Sequence, residues 1–131
     1  MIGLDTNVLV RYLAQDDVKQ AALANALMDS LTDANPGFVS LVVLVETVWV
    51  LESRYGANAD KIAQVLETLL HIGSLAVDQA ETVWRSLRRF KTEGGDFSDT
   101  LIAMLAHDRG CAQTYTFDKG AARYAGMVLL K

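Results

Sequence analysis

Four acidic residues sit where a carboxylate is hard to treat as ordinary surface charge. Asp5 follows directly on the apolar run Ile2-Gly3-Leu4, and Asp118 follows the run Gln113–Phe117. Glu46 stands inside the apolar stretch from Leu41 to Leu51, with Val42, Val43, Trp49 and Val50 as its helical neighbours. Asp99 precedes the apolar run Leu101-Ile102-Ala103-Met104-Leu105-Ala106. Two acids at neighbouring strand ends crowd negative charge, which costs energy unless a cation or a proton neutralises it. Hard oxygen donors of this kind suit Mg²⁺ or Mn²⁺. A carboxylate buried at Glu46 would need a partner, a metal or a proton.

Each acid also has a plain structural alternative. Asp5 and Asp118 precede helices and suit N-cap positions. Glu46 shares with Ser53 a stripe that faces water, where glutamate ordinarily lies. Asp96-Phe97-Ser98-Asp99 reads as a capping box in which Asp96 or Ser98 caps and Asp99 occupies the first turn. That reading accounts for one acid of the pair better than for two. Residue types by themselves leave both sets of readings open.

The elements that must position these acids follow from hydrophobic periodicity and breaker residues. Ile2–Leu4 reads as a short buried strand and Thr6–Ala14 as a helix carrying Val8, Leu9, Tyr12 and Leu13. Asp16 or Asp17 caps a second helix through Ala21, Leu23, Leu27 and Leu31, ended by the turn Asn35-Pro36-Gly37. Phe38–Ser40 is a second strand, and Ser40 opens a helix to about Tyr55, where length outweighs the β-branched content. Gly56 and Gly73 bracket a helix through Ile62, Val65, Leu66, Leu69 and Leu70. Leu75–Val77 is a third strand, with Asp78 expected to cap the helix through Val83, Trp84, Leu87 and Phe90. Gly94-Gly95 breaks that helix; Phe97–Asp108 is the next, closing at Gly110. Gln113–Phe117 is a fourth strand, a short helix lies near Gly120–Tyr124, and Met127–Leu130 is a fifth strand. Short apolar strands alternating with helices predict an α/β fold on a parallel sheet covered on both faces. Ligands of such sheets gather beyond the carboxyl ends of the strands, where Asp5 and Asp118 fall.

The 131-residue length suits one domain spanning residues 1–131 with a proper core, and 51% hydrophobic residues with a single proline argue against disorder. The longest apolar run, Leu41–Val45, is too short to cross a bilayer, so no membrane role is expected. No basic segment precedes an apolar stretch at the N-terminus, and Cys111 is the sole cysteine, which excludes an internal disulfide. A cytoplasmic location is the economical expectation. A net charge of −4 excludes a polyanion binder of the histone kind but not a nuclease with a local basic face.

The residues around the acids carry a resemblance. Ile2-Gly3-Leu4-Asp5-Thr6-Asn7-Val8-Leu9-Val10-Arg11-Tyr12 resembles the opening motif of PIN domains, specifically of the VapC-like toxins. Val45-Glu46-Thr47-Val48-Trp49 resembles their helix-borne glutamate, Phe97-Ser98-Asp99-Thr100-Leu101-Ile102-Ala103 their third acidic motif, and Thr116-Phe117-Asp118 their fourth. Four motifs in order, from residue 2 to the final strand, make the resemblance specific. It implies a three-layer α/β/α sandwich on a central parallel sheet of four to five short strands, with a pocket made by Asp5, Glu46, Asp99 and Asp118. It implies endoribonuclease activity with Mg²⁺ or Mn²⁺, a cognate antitoxin as the partner of this toxin, and a homodimer. Asp5, Asp99 and Asp118 would be metal ligands, and Glu46 would complete the pocket and help position the attacking water. Thr6, Asn7, Ser98 and Thr116 would orient those carboxylates, while Asp96 lies outside the ligand set.

A bound RNA chain needs cations, and Arg11, Lys119 and Arg123 are the substrate-contact candidates by proximity to the motifs. Arg85, Arg88, Arg89 and Lys91 suit a solvated helix face slightly better. His71 and His107 lie near helix C-termini, an ordinary place for them. Trp49 and Trp84 suit a core or a dimer face rather than base stacking. Two rivals remain: a non-catalytic PIN-like module that binds RNA or protein, and a haloacid-dehalogenase-like phosphatase. The latter motif wants a second aspartate where Asn7 stands.

Overall fold

The computed structural model describes residues Met1–Lys131, which pack as two compact units, Met1–Asp78 and Gln79–Lys131. In the first unit the order is β1 (Ile2–Gly3), α1 (Thr6–Ala14), α2 (Val18–Ser30), β2 (Gly37–Val39), α3 (Leu41–Tyr55), α4 (Ala59–His71) and β3 (Leu75–Val77). The strands form a parallel ladder in the order β1-β2-β3, with Ile2 opposite Gly37 and Val39 opposite Val77. Parallel neighbours need long crossovers, which the two helix pairs supply. Gly37 lets the central strand lie close to its neighbours. A Cβ there would fall 2.8 Å from Leu31 Cδ1 and 2.9 Å from Leu4 Cδ1. Leu9, Val39, Leu44, Ile62 and Leu66 are fully enclosed around this ladder.

Capping explains where these helices begin. The Asp17 carboxylate accepts from Gln20 N at 2.9 Å, Ser40 Oγ from Val43 N at 3.2 Å, and Asn58 Oδ1 from Lys61 N at 2.9 Å. Three expectations are corrected here. Ile2–Leu4 is not buried throughout: Leu4 is enclosed, but Ile2 and Gly3 lie exposed on an edge strand. Gly73 does not terminate α4; extended Ile72 ends it, and Gly73 serves the turn closed by Leu75 N donating to Ile72 O at 3.1 Å. Asp78 does not cap the next helix. Its N–H donates to Val39 O at 2.9 Å, which holds it in the ladder, and left-handed Gln79 takes the cap position with no side-chain cap bond.

The second unit contains α5 (Ala80–Glu93), α6 (Phe97–Asp108), β4 (Tyr115–Thr116), α7 (Lys119–Tyr124) and β5 (Val128–Leu129). The helices α5 and α6 pack against each other, with Phe90 and Phe97 meeting edge to face at 5.9 Å. The bend between them depends on Gly95, whose φ of +81° suits glycine and whose missing Cβ would collide with Tyr124 Cβ. The strands β4 and β5 pair in parallel, Tyr115 opposite Val128 and Thr116 opposite Leu129. Ala121, Ala125 and Met127 make a small core beside them, with Ala103 of α6 against it. Five short strands are present and every pairing is parallel, so the chain is α/β as expected; the ladders hold three strands and two. No helix is long and apolar enough to cross a membrane.

Candidate functional site

Asp5 leaves the end of β1 and occupies the N-cap position of α1, yet its side chain makes no cap bond. Only its carbonyl serves the helix, accepting from Val8 N at 3.1 Å and Leu9 N at 3.3 Å. The ordinary-cap reading therefore holds for the backbone and fails for the carboxylate, which is exposed. The next residue, Thr6, is 4% exposed, and its hydroxyl has no hydrogen-bond partner. A buried hydroxyl left unpaired costs about 1–3 kcal/mol. Asn7 is exposed beside it.

Glu46 lies on α3, which packs against α1. The structure decides between its two readings in favour of the exposed stripe. That stripe is apolar around it: Val42 is 75% exposed and Trp49 58%. Trp49 is therefore not a core residue, while Trp84 is half-buried.

In the second unit the structure brings acids together. Asp99, half-buried in the first turn of α6, has its carboxyl held above the usual carboxylate range. Burial contributes most, and the charges of Asp96 and then Asp118 add to it. No cation of the chain offsets these effects. Asp96 is the helix cap, accepting from Asp99 N at 2.9 Å, which explains the second acid of that motif. Asp118 caps α7 by accepting from Gly120 N at 2.8 Å, and its own N–H donates to Thr116 Oγ1 at 3.0 Å. One carboxylate oxygen of Asp118 remains uncommitted, and Ser98 is half-buried near the start of α6.

Asp99 and Asp118 offer hard oxygen donors, which fit a divalent cation by donor chemistry. No three His, Cys, Asp or Glu side chains are gathered into a group able to hold a metal ion. Asp5 and Glu46 belong to the first unit, Asp99 and Asp118 to the second.

The cationic candidates divide sharply. Arg11 is engaged locally: Nε donates to Gln20 at 2.6 Å, and Nη1 donates to Tyr55 Oη at 3.2 Å and to Asp16 at 3.4 Å. The Tyr55 hydroxyl in turn donates to Asp16 at 2.7 Å, and this bond, more than Arg11, lowers the Asp16 pKa. Lys119 and Arg123 are exposed on α7 with no ion-pair partner, Arg123 lying 5.2 Å from the centre of the Tyr124 ring. Arg85 is paired with Asp108, and Arg89 donates to Tyr124 O at 3.3 Å. His71 Nδ1 lies 2.8 Å from Glu67 O, in keeping with a structural place at a helix end.

Sequence reasoning missed two features. The unpaired Thr6 hydroxyl depends on burial that no spacing reveals. The exposure of Tyr115 and Phe117, 60% and 80%, had a visible signal in their alternate positions along the run Gln113–Phe117.

Comparison with known proteins adds to this geometry. The model of the PIN domain family matches residues 2–127. The VapC ribonuclease of Aquifex aeolicus (strain VF5) is 24% identical over 116 residues, 88% of this chain and 86% of that protein.

Proposed function

The chain belongs to the PIN-domain family, and from that premise we propose that it is a metal-dependent endoribonuclease, the toxin of a toxin–antitoxin pair. The observation that carries the reading is the half-buried carboxyl of Asp99. Its carboxyl is disfavoured by burial, Asp96 and Asp118 together, a cost that a bound divalent cation reverses. Similarity to a VapC ribonuclease supports RNA as substrate and an antitoxin as partner. The family match runs through both compact units, which supports treating residues 1–131 as one PIN domain.

Asp5, Asp99 and Asp118 are the residues that would hold Mg²⁺ or Mn²⁺. A bound ion supplies Lewis-acid polarisation of the phosphate and lowers the pKa of water at the site. The uncapped Asp5 carboxylate and the free oxygen of Asp118 are the donors the fold leaves available. Glu46, exposed on α3, orients the attacking water and accepts its proton. Thr6 and Asn7 follow Asp5 and Ser98 precedes Asp99, neighbours that would orient those carboxylates, and Thr116 Oγ1 accepts from Asp118 N. Lys119 and Arg123 neutralise the RNA backbone, and Arg11 instead braces the end of α3 through Tyr55.

The test is cleavage of a mixed RNA pool by the purified protein with Mg²⁺, Mn²⁺ or EDTA, beside Asp99→Asn. Cutting that needs metal and disappears in the variant supports the assignment. A folded protein that binds Mn²⁺ at these acids and cuts nothing points instead to a binding module. Phosphatase activity lost in Asp5→Asn, without nuclease activity, favours the dehalogenase-like rival.

A further inference from the structure

The most exposed aromatic side chains of the second unit lie at its small ladder, directly before Asp118. Tyr115, on β4, is 60% exposed, and Phe117, at the bend that follows the strand, is 80% exposed. Leu130, 46% exposed, runs alongside, its N–H donating to Thr116 O at 2.8 Å. Exposing two aromatic rings this close in the chain is unfavourable in water, so this region is made to be covered.

Charge identifies what covers it. Residues 1–78 carry four Lys and Arg against ten Asp and Glu, a net −6, whereas residues 79–131 carry eight against six, a net +2. Lys119 and Arg123 follow Phe117 within six residues and have no ion-pair partner. Exposed aromatic rings accompanied by cations without ion-pair partners are the means by which proteins hold unpaired bases while tracking a phosphate backbone. An apolar protein surface would match the rings but leave the cations unanswered.

We propose that Tyr115 and Phe117 form a stacking platform for unpaired bases of single-stranded RNA, with Lys119 and Arg123 holding the adjoining phosphates. The assignment rests on the nuclease reading and deepens it, since Phe117 directly precedes the proposed catalytic Asp118 in the chain. It makes single-stranded segments the preferred substrate, because bases in a duplex are not free to stack on protein.

The experiment measures binding of a short fluorescein-labelled single-stranded RNA of mixed sequence to the full-length protein in EDTA, where no cutting occurs, and then cleavage in Mn²⁺. Tyr115→Ala and Phe117→Ala are each expected to weaken binding about tenfold, the scale of one stacked base. KM should rise with kcat little changed, and duplex RNA should show no difference between variants. Phe117→Trp should retain binding, and Phe117→Leu should behave like the alanine variant. Exposed rings contribute little to folding, and unchanged melting temperatures verify that the variants are intact.

Wild-type affinity in Phe117→Leu overturns the platform in favour of plain apolar docking. Unchanged RNA binding in the alanine variants, together with a smaller sedimenting mass, overturns it in favour of a contact between two copies. If wild type and variants bind and cut alike, only the platform falls. If wild type neither binds nor cuts RNA, the nuclease reading falls with it.

Discussion

At Asp99 the folded chain holds a carboxylate half-buried beside Asp96 and Asp118, and all three influences raise its pKa above the reference value of 3.8. A carboxylate raised on folding favours the native state most fully below its unfolded value, and that contribution is lost as pH climbs through its folded value. Asp99→Asn removes the loss. The variant is therefore expected to melt above wild type at neutral pH and to converge with it under acid conditions. Melting curves across pH, without metal, check the sign; equal melting at pH 7 would show that the acids are already neutralised. Asp5 gives the complementary case. Because its side chain caps nothing, Asp5→Asn should alter stability by less than about 0.5 kcal/mol while cleavage falls by at least about a hundredfold. A large loss of stability in urea unfolding would instead make Asp5 a structural residue. Motif order in the sequence named the residues of the candidate site. Whether each side chain is free was not legible, since Asp5, Asp96 and Asp118 share a residue type and a cap position and differ only in which carboxylates accept a backbone N–H.

Among the elements, legibility followed the strength of local chemistry. The bounds of α1 and α6 follow from periodicity and flanking residues, and Ser40 opens α3 as its side chain dictates. The strands were harder. Gln113–Phe117 contracts to Tyr115–Thr116 and Met127–Leu130 to Val128–Leu129, because strand extent depends on pairing partners distant in sequence rather than on the run itself. The Asp78 cap failed for the same reason: a ladder bond from its N–H to Val39 O competes for the residue that propensity assigns to a helix. Two predictions test this scale. Asp96→Ala removes the bond to Asp99 N and should cost about 1 kcal/mol, whereas Asp96→Asn, which can still accept that bond, should cost a few tenths. Gly95→Ala faces both a left-handed backbone and the Tyr124 side chain, and should cost about 2 kcal/mol or more in denaturant unfolding. An unaffected Gly95→Ala protein would mean that the bend between α5 and α6 can relax.

At the scale of the molecule, the chain distributes charge and chemistry unequally. Residues 1–78 are net −6 and hold Asp5 and Glu46; residues 79–131 are net +2 and hold Asp99, Asp118 and the exposed cations Lys119 and Arg123. Polyanion binding should therefore depend mainly on the second unit, while the reaction as proposed draws acids from both. Groups that act as one catalytic set lose their effect together, so removing a second member adds little once the first is gone. Asp5→Asn and Asp99→Asn should each abolish most metal-dependent cutting, and the double variant should be no slower than the slower single one. Single-turnover cleavage rates measure this. Additive losses would show two carboxylates contributing independently, which a shared metal-binding set does not allow. In the same proteins RNA affinity in EDTA should survive both substitutions and weaken with added salt, because the cations that hold the phosphates are untouched. Binding that survives where cutting fails would separate the acidic chemistry of both units from the basic recognition surface of one.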